Sequence, residues 1–381
     1  MLPDVFTPEG LAAFGVAALA CGILITKTRS KTGSSWPRLT RRGDLVAVQA
    51  AHLTPTPRLG GVAVFGALLV ALALASPSWG SLWLALTLAV FPLFLSGAIE
   101  DLGYPVAPVG RLGAALISAA LAVYLTGTWI EATGLPGLDL LLSWAPLAML
   151  ITVVAASTIA HAFNLIDGLN GLAGFTALMA AAGIGGTAML VGDTEVAGFA
   201  LVLGAAVLGF LLFNFPFGRI FFGDAGAYSV GFLLAFLGIT LATRHADVTP
   251  LAMMLVLFWP LADLTLAIYR RRRNKLPVSM PDRLHFHQFV MRGLEIAVFS
   301  RARRRITNPV ATTVMLPFIA TPVVAGVLLH AQPLAAGLAL VFFFAAFFAT
   351  YALGMRLARR RPRMDEGWRI AIGAVPASST N

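Results

Sequence analysis

The sequence predicts an all-α integral membrane protein that crosses the bilayer about ten or eleven times. Three observations carry this. Of its 381 residues, 58% are hydrophobic and 12% charged, whereas soluble domains are ~45–50% apolar and ~25% charged. The apolar residues fall into separate runs, each close to the ~20 residues a helix needs to cross a hydrocarbon core. The basic residues fall almost entirely into alternate connections between those runs. A soluble globular protein, a disordered chain, a coiled coil and a disulfide scaffold are all excluded. The one cysteine, Cys21, sits in an apolar run and reads as a small packing residue.

In chain order, spans are expected at 9–26, 60–76, 80–99, 112–128, 142–163, 172–191, 196–213, 225–243, 250–269, 309–330 and 332–355. They must be helices, because no water is present at that depth to satisfy open strand edges. Prolines such as Pro92, Pro146 and Pro260 fall inside spans, which membrane helices tolerate when neighbours repair the interrupted ladder. Of the 27 Lys and Arg residues, only Arg244 falls on one side of this arrangement. The positive-inside rule then places the N-terminus outside and the C-terminus in the cytoplasm, and eleven spans give the matching parity. The net charge of +10 is thereby a topology signal, and no nucleic-acid partner is expected. The reading is one transmembrane catalytic domain over 1–356 with cytoplasmic loops at 27–58, 100–111, 164–171, 214–224 and 270–307. A basic cytoplasmic tail follows over 357–381, its last residues, Pro376 to Asn381, expected to be disordered. Leu284 to Ile306 reads as an amphipathic segment along the membrane surface.

Polar residues are expensive near lipid and mark candidate function. The acids assigned to the outer side, Asp139, Asp193, Glu195 and Asp247, read as solvated loop charges. The cytoplasmic ends instead carry four dense polar strings: GAIEDLG (97–103), AHAFNLIDGLNGLAG (160–174), RIFFGDAGAYSVG (219–231) and PVSMPDRLHFHQ (277–288). Four separated strings on one face point to a shared active site. Glu100 and Asp101 are neighbours that a helix would aim ~100° apart, so one faces the site and the other braces it or faces water. His161, Asn164, Asp167 and Asn170 are spaced by three, so successive members are neighbours on a helix surface. Gly168 and Gly171 offer a place to break that helix. Asp224 enters a new span from a tight glycine turn, which suits a magnesium ligand, since Mg²⁺ takes one or two carboxylates plus phosphate oxygens and water; the alternative is a helix N-cap. Oxygen donors outnumber nitrogens, which favours Mg²⁺, or Mn²⁺, over zinc. Arg58, Arg111, Arg219 and Arg283 supply forks that match phosphate oxygens. Asp263 reads as structural, taking backbone N–H groups freed near Pro260 or pairing with an arginine; the alternative is an active-site role on the cytoplasmic half of its span. His285 and His287 share a side if their segment is extended and lie ~200° apart if it is helical.

At these strings the chain resembles the polyprenyl-phosphate N-acetylhexosamine-1-phosphate transferases, the family that also contains the phospho-MurNAc-pentapeptide translocases. The resemblance runs from PTPRLGGVAVF (55–65) through PDRLHFHQ (281–288), in family order, with a last loop like that of the non-muramyl bacterial branch. GAIEDLG resembles the paired-aspartate motif, FNLIDGLNGLAG the Asn–Asp-Gly motif, and RIFFGDAGAYSVGF the Gly-Asp-x-Gly-Ser motif. The chain departs from these patterns at Glu100, His161, Asn170, Ala227 and Gln288. The resemblance implies transfer of a sugar-1-phosphate from a UDP-N-acetylhexosamine to undecaprenyl phosphate in the bacterial inner membrane, giving UMP and a lipid-linked pyrophosphoryl sugar that initiates a polysaccharide such as O-antigen. It implies catalytic roles for Asp101, Glu100, Asp167, His285 and His287, substrate contacts from Arg58, Arg111, Asn164, Asn170, Arg219 and Arg283, and metal binding by Asp224 and Asn164. Membrane lipids, and a second copy of the chain in a homodimer, are further expected partners. The rival readings are the muramyl-pentapeptide translocase, a membrane transporter, and a catalytically inactive homologue that the five departures would permit.

Overall fold

The computed structural model describes residues 7–29, 56–75, 80–274 and 285–359. Arg283, most of the polar stretch 27–58, and the tail beyond residue 359 lie outside the described residues. Fourteen α-helices and no strands are found among those described. They are α1 (Pro8–Arg29), α2 (Gly60–Leu74), α3 (Gly80–Asp101), α4 (Pro108–Thr126), α5 (Pro136–Leu142), α6 (Ala145–Ile166), α7 (Leu172–Leu190) and α8 (Thr194–Asn214). The remainder are α9 (Gly223–Arg244), α10 (Pro250–Val256), α11 (Phe258–Arg273), α12 (Phe286–Ala297), α13 (Arg304–Leu328) and α14 (Pro333–Arg359).

Nine of these helices are long and apolar enough to cross a bilayer. The pair α10 and α11, bent by 82° at Leu257, is together long and apolar enough for a broken span or a re-entrant loop. Pro260 explains the bend, because it has no N–H to offer the carbonyl of Val256, the last residue of α10. The fifteen-residue α2 is shorter; with it, a helix stands at each of the eleven predicted runs. The chain is a multi-pass membrane protein. Large exposed apolar residues, such as Leu74, Ile117, Phe318 and Phe342, are what a lipid-facing surface requires.

α9 is the axis of the bundle. Every residue from Gly223 to Leu241 is buried, so this helix meets protein on all sides, with α2, α3, α6, α7 and α8 around it. Glycines let two neighbours approach it at backbone distance. A Cβ on Gly97 of α3 would sit 2.5 Å from the backbone N of Ala225, and one on Gly61 of α2 would overlap the backbone of Gly226. Three backbone hydrogen bonds tie the strand-like lead-in of α2 to the lead-in of α9: Phe221 N–H to Pro57 O, Gly60 N–H to Phe221 O, and Gly61 N–H to Phe222 O. The N-termini of α2 and α9 and the C-terminus of α3 are therefore locked at one end of the bundle.

α12 covers the middle of the segment expected to be amphipathic over Leu284 to Ile306, whose last residues, from Arg304, instead begin α13. Phe286 packs against Trp259, Phe347 and Tyr351, and Phe289 against Tyr351, which seats the helix on α11 and α14. At the opposite end of the bundle the structure corrects the reading of the outer acids. Asp193 is buried, caps α8 through Val196 N–H, and pairs with Arg244 and His245. Glu195 accepts from Leu82 N–H and Arg244. Asp139 accepts from the Thr133 and Gly134 amides, and these bonds, set against its desolvation, hold its carboxyl below the usual range. Only Asp247 is exposed as expected. The partners come from remote helix ends, so adjacent sequence does not announce them.

Candidate active site

The locked end of the bundle carries the acids. Asp101, the last residue of α3, is 4% exposed and caps a helix other than its own. Its Oδ1 accepts the N–H of Asp224 at 3.0 Å and its Oδ2 the N–H of Ala225 at 2.9 Å. A helix N-terminus leaves such donors without intrahelical partners, and its dipole favours an anion there. Gly223 makes this approach possible: its φ is +75°, and a Cβ there would collide with Asp101 and the carbonyl of Arg58.

With Asp101 serving as the cap, Asp224 is released from that duty. The N-cap residue of α9 is Phe222 and makes no side-chain cap. The Asp224 side chain instead turns to cations and an amide. Arg58 Nη2 donates to its Oδ1 at 2.8 Å, Asn164 Nδ2 donates to the same oxygen at 3.0 Å, and Arg111 Nη1 lies 3.6 Å from Oδ2. Arg111 also pairs with Glu100 at 3.2 Å, and Arg58 Nε lies 3.5 Å from Asp101 Oδ1. Thus Glu100 braces Arg111 while Asp101 braces α9, so the two adjacent acids do separate work, as their angular offset implies.

Asp167 ends α6 as its C-cap and lies within the field of Asp224 and Arg58. Burial, reinforced by the charge of Asp224, pushes its carboxyl up to about 7, against the opposing pull of Arg58 and of the Gly223 amide. His161 donates from Nδ1–H to the Ser157 carbonyl, which can only accept; its ring rests 5.1 Å from that of Tyr228. Arg58, Glu100, Asp101, Arg111, Asn164, Asp167 and Asp224 therefore form one cluster, built from the lead-in of α2, from α3, α4 and α9, and from the end of α6 with its C-cap.

Two further predicted residues lie elsewhere. Asn170 is buried in a structural network: its N–H donates to Asn308 Oδ1, its Nδ2 to the Pro216 carbonyl, and its own carbonyl accepts from Thr312. Arg219 is exposed, with its guanidinium 5.0 Å above the Phe217 ring. His285 and His287 are buried at the start of α12. His285 is the extended N-cap residue, and the two rings stack with centroids 5.6 Å apart at 14°. The shared-side geometry holds, with Phe286 turned into the aromatic core. Both rings face Asp263, whose Oδ1 accepts Phe286 N–H at 2.8 Å and whose Oδ2 accepts His285 Nδ1–H at 3.0 Å. This corrects the expected partners of Asp263: they are histidines and an amide 22 and 23 residues away, not an arginine or the amides near Pro260. Burial pushes the His287 imidazole below its usual range, against the opposing pull of the Asp263 carboxylate.

This site lies on a chain with recognisable relatives. Residues 83–242 match the family described as glycosyl transferase family 4. A probable undecaprenyl-phosphate N-acetylglucosaminyl 1-phosphate transferase of Bacillus subtilis (strain 168) is 30% identical over 251 residues, covering 65% of this chain and 69% of that protein. The decaprenyl-phosphate N-acetylglucosaminephosphotransferase of Mycobacterium leprae (strain TN) is 29% identical over 309 residues, 73% of this chain and 75% of that one. The undecaprenyl-phosphate alpha-N-acetylglucosaminyl 1-phosphate transferase of Escherichia coli (strain K12) is 29% identical over 175 residues, 45% of each chain. With these relatives, and with the motifs gathered at one end of an all-helical bundle, the chain belongs to glycosyl transferase family 4, the polyprenyl-phosphate N-acetylhexosamine-1-phosphate transferases.

Proposed function

We propose that the protein transfers N-acetylglucosamine-1-phosphate, or a close N-acetylhexosamine relative, from the UDP-sugar to undecaprenyl phosphate at the cytoplasmic face of a bacterial inner membrane. The products are UMP and a lipid-linked pyrophosphoryl sugar, the first intermediate of a cell-surface polysaccharide such as O-antigen. One observation carries this reading. Two arginines and four carboxylates meet at the ends of membrane helices, where a soluble anionic nucleotide and a lipid phosphate can both arrive.

The chemistry asks for charge more than for covalent participation. An oxygen of the lipid phosphate attacks the β-phosphorus of the donor, and the bond from that phosphorus to the bridging oxygen breaks, with UMP carrying away the electron pair. Arg58 and Arg111, now held by Asp224, are placed to turn their forks onto the pyrophosphate. Glu100 keeps Arg111 in place, and Asp101 holds the N-terminus of α9, whose dipole faces the same anion.

The donor set fits a hard divalent cation. Among the described residues, no three His, Cys, Asp or Glu side chains enclose a metal on their own. That suits Mg²⁺, which completes its shell with phosphate oxygens and water. Asp224, whose Oδ2 is held only loosely at 3.6 Å, would hold it with Asn164 and with Asp167 nearby. Bound there, Mg²⁺ (or Mn²⁺) would neutralise charge on the transferred phosphoryl group. Asp224→Asn tests this: turnover at ordinary Mg²⁺ should vanish while the protein still accumulates folded in membranes, because an amide is a far weaker ligand. Substantial turnover in that variant would remove the metal role from Asp224.

A further inference from the structure

Asp263 is 1% exposed and lies in α11. Its oxygens are spent on the start of α12, on Phe286 N–H and on His285 Nδ1, and Oδ2 also lies 3.7 Å from Nδ1 of His287. An ionised carboxylate only accepts, so His285 carries its proton on Nδ1. His287 is likewise 1% exposed, yet neither of its ring nitrogens has a hydrogen-bond partner among the described residues. A buried polar group left unmatched costs about 1–3 kcal/mol, which an apolar side chain at that position would avoid.

The outer edge of that ring meets the turn between α6 and α7. A Cβ on Gly168 would sit 2.5 Å from His287 Nε2. Gly168 does not have a left-handed φ, unlike Gly171 at +80°. Its backbone therefore gives no reason for glycine; the imidazole does. Asp167, the member of the arginine cluster with the raised pKa, is the preceding residue.

We propose that Asp263 and Gly168 are positioning residues that together seat the His287 imidazole against the Asp167–Gly168 turn, with Nε2 directed to the site as the hydrogen-bonding group for substrate. Asp263 fixes the ring from the Nδ1 side through the stacked His285, and Gly168 leaves the space that lets Nε2 come up to the turn. The proposal rests on the transferase reading above. It makes a glycine, and a carboxylate 95 residues further along, act on the reaction through one histidine.

The test has two arms. In the first, kcat/KM is measured with UDP-N-acetylglucosamine and undecaprenyl phosphate for Asp263→Asn, His287→Ala and the double variant. Each single change should lower it by at least about tenfold, and the double variant should be no worse than His287→Ala alone, the mark of residues acting as a unit. Multiplying losses, or normal kinetics in Asp263→Asn, would overturn the proposal. In the second arm, thermal unfolding of the purified full chain is followed for Gly168→Ala alone and combined with His287→Ala. The alanine should lower the midpoint when the imidazole is present and leave it unchanged when the imidazole is gone; equal losses in both backgrounds would overturn the contact. This arm needs no turnover. A wild-type protein that uses no UDP-sugar would therefore count against the transferase reading, while the seating of His287 would still be judged, and it would decide equally if Asp263→Asn failed to accumulate.

Discussion

Replacing Asp101 by Asn should cost the protein stability as well as turnover, and the structure says how much. The two carboxylate oxygens accept two backbone N–H groups at 3.0 and 2.9 Å. Asn offers one oxygen, so one of those amides would face an NH₂ group, donor against donor. A hydrogen bond to a charged group contributes about 1.5–3 kcal/mol. The lost charge also forfeits part of the interaction with the α9 dipole, up to ~2 kcal/mol when partly buried. A loss of about 2–4 kcal/mol follows. The contrast is Asp224→Asn, whose side chain holds guanidinium groups and an amide side chain but no backbone N–H. Its two arginine partners are 36% and 24% exposed and can turn to water, so its stability should fall by under ~1 kcal/mol. The assay is thermal or denaturant unfolding of detergent-purified protein, followed by tryptophan fluorescence beside the lipid-transfer assay. An Asp101→Asn protein that unfolds with the wild type, or an Asp224→Asn protein that falls as far as Asp101→Asn, would refute the division of labour drawn between the two aspartates.

Gly97→Ala should prevent accumulation of folded protein, because its Cβ would sit 2.5 Å from the backbone N of Ala225 and backbone, unlike a side-chain tip, has nowhere to turn; membrane abundance is the readout. The raised carboxyl of Asp167 predicts a pH dependence for the protein without nucleotide or divalent cation. Its native pKa of about 7 exceeds the ordinary 3.8, so the native state holds its proton more tightly than the unfolded chain. The stability this contributes is fully present below about pH 4 and is lost as pH rises through about 7. The unfolding midpoint should therefore slope downward across that window, and Asp167→Asn should lessen the slope. Arg58→Lys should lower turnover by about tenfold or more, since an ammonium cannot reproduce a fork held on Asp224 and Asp101 together; normal rates would argue that Arg58 contributes only charge.

Each apolar run in the sequence is helical in the structure, with the run 250–269 broken at Leu257, because the length and composition of a membrane span are set by the bilayer and need no partner to be recognised. The gathering of GAIEDLG, the Asn164–Asp167 string and GDAG at one end was likewise readable, since alternation of helix direction places them there. What each acid does was not. Asp101 and Asp224 are both aspartates at helix ends, and only the crossing of α3 over α9 shows that the first caps the second's helix. Asn170 shares the three-residue spacing of Asn164 and Asp167, but the chain breaks at Asp167, so the spacing no longer keeps it on their face. Asp263 lies beside a proline that suggests local bonding, while its partners lie across a loop. Gly168 looked like a helix breaker, and its reason turned out to be a ring from α12.

The most direct measurement is transfer itself. Membranes or purified protein are incubated with UDP-N-acetylglucosamine labelled in the sugar, undecaprenyl phosphate and Mg²⁺, and the butanol-extractable label and the released nucleotide are followed together. The account predicts one UMP released for each sugar-1-phosphate carried into lipid, with both products lost in Asp224→Asn. Release of UDP, which would leave the phosphate on the nucleotide, or no lipid label from any UDP-N-acetylhexosamine, would contradict it.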